Sequence, residues 1–233
     1  KLSYEGSNLV QWSPLHDQYS MDEDQGNFRI LTQTRHDESA THLYVLDEDL
    51  TLVGKLTDIE PGERFQWSRF IGDKLYLVTF EQIDPLFVVD ISNGANPQII
   101  GELKMPGFSN YLHPIGEEAG GIQYLAWVGY DTDENQWWGT VNAGVKLDLY
   151  KVDYNRNETA DSLCGKLIEN TEEYQDCLSQ VDTTRLRVEQ IDSVVMWDQG
   201  SHTPVTDNPR LFVIDSNNTI TLPLLLKEKI DGK

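Results

Sequence analysis

Several groups of side chains in this sequence have the type and spacing for binding or chemistry. Asp131, Asp133 and Asn135 put oxygen atoms at alternating positions of one short stretch, which is how a tight turn wraps calcium with monodentate carboxylates and amides. The stretch departs from an EF-hand in carrying Gln136 where glycine is expected and Asn142 where a bidentate glutamate would close the site. Asp153 or a backbone carbonyl would have to complete the shell. The competing reading is a solvated turn; calcium is the one cofactor the sequence suggests.

His113 in YLHP and His202 in GSHT are candidate ligands or bases, and Asp198 is the carboxylate placed to join them. The alternative for each imidazole is to cap a turn or satisfy a backbone carbonyl. Adjacent Trp137 and Trp138, flanked by Asn135 and Gln136, form a candidate binding pair that would stack on a sugar or anchor a partner; otherwise one indole packs beneath its loop. No G-x-S-x-G elbow is present, and Gly120-Gly121 lacks the strand-to-helix setting of a phosphate loop.

The two cysteines, Cys164 and Cys177, both fall in the polar segment 158–182, where a disulfide would hold a stretch with little apolar material of its own. Such bridges persist in oxidising compartments, so the expected location is extracytoplasmic: periplasm, cell surface or secreted. The chain starts at Lys1 with no charged-then-apolar leader, which reads as a processed boundary. With 18 basic against 39 acidic residues the net charge is −21, and nucleic acid is not an expected partner. No apolar run reaches the ~20 residues a membrane-spanning helix needs.

The elements that must position these groups are short strands. From 65 to 103 the sequence reads FQWSRFIG, DKLYLVTFEQ, PLFVVDIS and NPQIIGELK, broken at Gly72-Asp73, Asp84-Pro85 and Asn93-Gly94 by residues that supply the φ values of a reversal. QYSMDED, NFRILTQTR, THLYVLDED and LTLVGKLTD form an earlier copy. NYLHPIGE, IQYLAWVGYD, VKLDLYKVD and TRLRVEQID form a third, interrupted by a Cys-containing insertion at 155–182. A fourth starts at SVVMWDQG and runs through PRLFVIDS to TITLPLLLK. The predicted repeats are 15–64, 65–109, 110–192 and 193–233. Four-stranded units recurring every ~45 residues predict an all-β fold, a β-propeller of which about four antiparallel blades are seen, as part of a larger ring or one completed by another chain.

One stretch carries a closer resemblance. SRFIGDKLYLVTFEQIDPLFVVDIS followed by NPQIIGELKMPGFSNYLHPIG resembles the secreted bacterial and archaeal proteins with a C-terminal β-propeller domain whose biochemical role is undefined. Weaker similarity extends through QYSMDEDQGNFRILTQT, GYDTDEN, GVKLDLYKVD and GSHTPVTDNPRLFVID. The resemblance implies a propeller and an exported protein, and it implies no reaction. The insertion at 155–182 and the Trp137-Trp138 pair depart from the family's pattern.

The expected function is a non-catalytic extracytoplasmic binding or scaffold module, presenting propeller loops to a protein or polysaccharide, with self-association or the remainder of the propeller as a further partner. The rival is a metal-dependent hydrolase using the channel, with His113 and His202 as ligands or base.

Overall fold

The computed structural model describes residues 7, 18–34, 39–80, 84–105, 108–133, 141–157, 159, 164, 171–179, 185–196 and 200–226. Two compact units divide the chain, Lys1–Ile100 and Gly101–Lys233.

The first unit opens with β1 (Met21–Asp24), β2 (Asn27–Thr34), β3 (Ala40–Leu46) and β4 (Leu52–Ile59), hydrogen-bonded in that order as one antiparallel sheet. Gln25 and Gly26 both hold positive φ, 49° and 74°, so β1 and β2 are joined by the two-residue turn whose twist suits a hairpin. Every residue of β3 is buried, as a strand covered on both faces should be. A second sheet follows, β5 (Arg64–Ile71), β6 (Lys74–Phe80), β7 (Asp84–Asp90) and β8 (Gln98–Met105), in chain order; β8 crosses the boundary between the units.

These two sheets share a core. Leu31, Leu43 and Ile59 of the first pack with Phe65, Leu75, Leu77, Phe87 and Val89 of the second, all at most 5% exposed. Each such side chain contributes about 1.5–3 kcal/mol on leaving water. The sheets approach closely enough that a Cβ on Gly54 in β4 would meet the Gly94 carbonyl oxygen at 2.2 Å.

In the second unit β9 (Phe108–Ala119), β10 (Ile122–Asp133), β11 (Val141–Asn157) and β12 (Leu186–Met196) form the third four-stranded sheet, ordered β12-β11-β10-β9. Gly120 and Gly121, at φ 62° and 77°, make the β9–β10 reversal. The insertion lies between β11 and β12 and contains the helix α1 (Glu172–Ser179), capped by Thr171, whose Oγ1 accepts the Tyr174 N–H at 3.1 Å. β13 (Val213–Ile214) and β14 (Ile220–Thr221) form a two-stranded hairpin.

The described residues thus form three full four-stranded sheets and one hairpin. The start expected for a fourth repeat at Ser193 differs from what is found: Ser193 to Met196 continue β12, with Ser193 opposite Asp148 and Val194 opposite Leu147. The physical reason is the length of β11, whose ladder offers these residues pairing partners that a fresh first strand would have to find elsewhere.

Candidate functional site

Cys164 and Cys177 are joined, with Cα atoms 5.9 Å apart. Cys164 is fully buried, while Glu172, Gln175, Asp176 and Ser179 of α1 are exposed. The bridge therefore fastens the insertion from one side and leaves a short acidic helix facing solvent. An isolated helix of eight residues would not persist in water, so the covalent tie and the Thr171 cap are what hold it.

Toward the other end of β11 from the insertion, the strand carries charges at alternate positions of one face. Lys146 Nζ lies 3.5 Å from the fully buried Asp148 carboxylate and 3.9 Å from Asp131, and sits over the Trp127 ring at 5.9 Å. Asp148 also accepts from Gln190 Nε2 at 2.9 Å and from the Tyr150 hydroxyl at 3.2 Å. One ammonium thus stands between two carboxylates, with the remaining lone pairs of Asp148 taken by neutral donors. The sequence reading missed this cluster. Its signal was the KLDLY run, which puts Lys146, Asp148 and Tyr150 on one side of a strand otherwise suited to a core.

Of the proposed calcium ligands, Asp131 is in β10 with Lys146 as its neighbour. The side chain of Asp133, and Asn135 altogether, lie outside the described residues, as do Trp137, Trp138 and Asp198. Among the described residues no group of three or more His, Cys, Asp or Glu side chains is set to hold a metal ion.

The two histidines have different surroundings. His113 is in β9, its Nδ1 2.6 Å from the Tyr111 hydroxyl and its ring 5.0 Å from that of Phe212. Phe212 also meets Tyr111 edge-on at 5.5 Å, so the imidazole belongs to an aromatic cluster joining the third sheet to the C-terminal segment. His202 is exposed, and its backbone pairs with Leu225 in both directions, at 3.0 and 2.8 Å.

On the face of the third sheet that carries His113, the C-terminal segment leaves a cleft of about 300 Å³. Ile115, Tyr124, Leu147, Leu149 and Val194 line it from successive strands, and Ile220 closes it from β14. Among the described residues its polar lining is Asp148, Asp192, Ser193 and Asn218, with no lysine or arginine.

A family model described as a beta propeller domain matches residues 1–172. An uncharacterized protein of Methanocaldococcus jannaschii is 49% identical over 102 residues, 42% of this chain and 16% of that relative. An uncharacterized protein of Archaeoglobus fulgidus is 49% identical over 117 residues, 50% of this chain and 18% of the relative. The matched stretch is under a fifth of either relative's length. No solved structure matches the chain.

Proposed function

The chain belongs to the beta propeller domain family, and from that premise we propose that it is a non-catalytic binding or scaffold module working outside the cytoplasm. The observation that carries this reading is the Cys164–Cys177 bridge. A four-stranded sheet needs only a short turn between its last two strands; here that connection has been enlarged, stapled and given an exposed acidic helix. A stapled surface loop is ordered before its partner arrives, which lowers the entropic cost of binding. A disulfide is retained where the surroundings are oxidising.

The partner that fits is a protein with a basic surface. The exposed side of α1 carries Glu172 and Asp176, and the chain as a whole has a net charge of −21, which steers cations toward it.

Two measurements test the proposal. A membrane-impermeant maleimide applied to intact cells after mild reduction should label Cys164 and Cys177; labelling only after lysis would place the protein inside. Proteins retained from envelope extracts by the immobilised chain should then be compared with those retained by a variant whose residues 158–182 are replaced by an Asn-Gly turn. A basic protein held by the first, released by salt and lost from the second is expected. Equal retention by both would remove the insertion from the binding surface.

A further inference from the structure

β12 is an outer strand of the third sheet, paired with β11 on one side, and among the described residues no strand pairs with its other side. A free edge is a row of backbone donors and acceptors that another chain can complete, and folds usually guard it with charge or proline. β1, an edge of the first sheet, carries three carboxylates in four residues, and β9, the opposite edge of the third sheet, carries Pro114. β12 has its charges at Arg187, Glu189 and Asp192, and then ends in Ser193, Val194, Val195 and Met196, which have none.

Ile191, Val194 and Val195 are 42%, 48% and 46% exposed, so apolar surface runs along the unguarded half of the strand. The register fixes which way two of the side chains go. Val194 pairs with Leu147 and Asp192 with Leu149, and these four share the sheet face that carries the cleft. The cleft of about 300 Å³ therefore reaches β12, with Tyr124, Leu147 and Leu149 in its apolar lining and Asp192 on its β12 side. Asp192 is exposed and spends one oxygen on the Ser193 N–H at 2.8 Å, which leaves the other for a cation. The carboxylate of Asp148, by contrast, is already engaged by Lys146, Gln190 and Tyr150.

We propose that β12 is a docking edge for an extended segment of a basic partner protein. The segment adds as a fifth strand along 191–196, places a large apolar side chain in the cleft across from Val194, and sets a lysine or arginine two residues away beside Asp192. A ladder edge calls for an extended backbone, the apolar lining for the large side chain, and Asp192, in a chain of net charge −21, for the basic one. The same charge disfavours a second copy of this chain as the occupant. This docking edge rests on the reading of the chain as a binding module, and it lies at the end of β12 remote from the insertion.

The test titrates the full chain into a labelled peptide, acetyl-Thr-Val-Phe-Thr-Lys-Val-Thr-amide, followed by fluorescence polarisation. Saturable binding is expected. Methylating one alternate set of the peptide's backbone nitrogens should abolish it and methylating the other set should not, since only one set faces β12. Glutamate in place of the peptide's lysine should weaken binding about tenfold. Asp192→Lys should reverse that preference, and because Asp192 is exposed the variant should melt with the parent. No binding, equal binding of the two methylated peptides, or a charge preference unmoved by Asp192→Lys overturns the inference. So does a dimer of the chain that Val195→Lys dissolves, which would give the edge to a second copy. The peptide reads this edge alone: its failure leaves the insertion's partner standing, and equal retention of envelope proteins with and without the insertion leaves this edge standing.

Discussion

Arg29 Nη1 donates to the Gly72 carbonyl oxygen across 2.7 Å, and this contact joins β2 of the first sheet to the β5–β6 turn of the second. Arg29 is 4% exposed. Asp22 holds it by a close ion pair and Asp24 stands 3.6 Å away, while the Phe70 ring lies 5.4 Å beneath it. The charge is thus neutralised within its own sheet and spends a remaining donor on the neighbouring one. Replacing it by methionine keeps the stem packed but strands two carboxylates and one carbonyl. Because Asp22 and Asp24 are each about one-third exposed, the expected loss is about 2–3 kcal/mol, below the full value for a buried pair. Urea unfolding followed by tryptophan fluorescence would measure it, and Arg29→Lys should fall between the two.

The same junction excludes side chains from β4. A methyl group on Gly54 would meet Gly94 O at 2.2 Å and Ala95 backbone atoms at 2.8 Å, and neither is the movable end of a side chain. Gly54→Ala should therefore cost about 1–3 kcal/mol through overpacking. Amide exchange should quicken across the 93–96 turn; an unchanged exchange rate there would show that β4 and this turn part without cost.

How far the sequence foretold this arrangement differs from element to element. The strands of the first three repeats were legible because alternation and turn chemistry are local: Gly72-Asp73 marks a reversal that the structure contains. The end of β12 was not legible, since Val194 and Val195 suit the close of one repeat as well as the start of another. Only the partners supplied by β11 decide between them. The pairing of Cys164 with Cys177 could be read from their seclusion in one polar segment. The packing of His113 on Phe212 could not, because it depends on a contact between residues far apart in the chain.

His42 provides a pH-dependent element in the first sheet. It is 1% exposed, its Nδ1 accepts the Asp58 N–H at 3.1 Å, and its Nε2 has no hydrogen-bond partner among the described residues. Burial lowers its pKa from 6.5; the Asp58 carboxylate offsets part of this and Lys55 adds to it. The unfolded chain thus takes up this proton at a higher pH than the folded one. Stability is complete above about pH 6.5 and falls as the pH drops below it. Asp90 acts lower on the scale: burial pushes its pKa up, but the Ser92 N–H and hydroxyl and the Lys74 ammonium outweigh that and hold it down. Its contribution is present above the ordinary carboxylate range and is lost on stronger acidification. His42→Gln should flatten the slope of stability between pH 6.5 and 5 while leaving the acid limb. A slope unchanged by the substitution would assign the effect to another group.

The disulfide should act locally. Closing a loop with a sequence separation of 13 restrains the unfolded chain by about 3 kcal/mol in the entropic account. The sheet on either side has its own support, because β11 and β12 remain paired from Val145 opposite Met196 to Asp153 opposite Arg187 without it. A Cys164→Ser, Cys177→Ser double variant should therefore release α1 and keep the third sheet. Hydrogen exchange at 172–179 should rise toward that of an open chain, since eight residues cannot sustain a helix alone. Exchange in β10 and β11 should stay slow. Rapid exchange throughout the sheet would mean that the staple supports the fold itself, and the insertion would then be a structural brace before it is a binding surface.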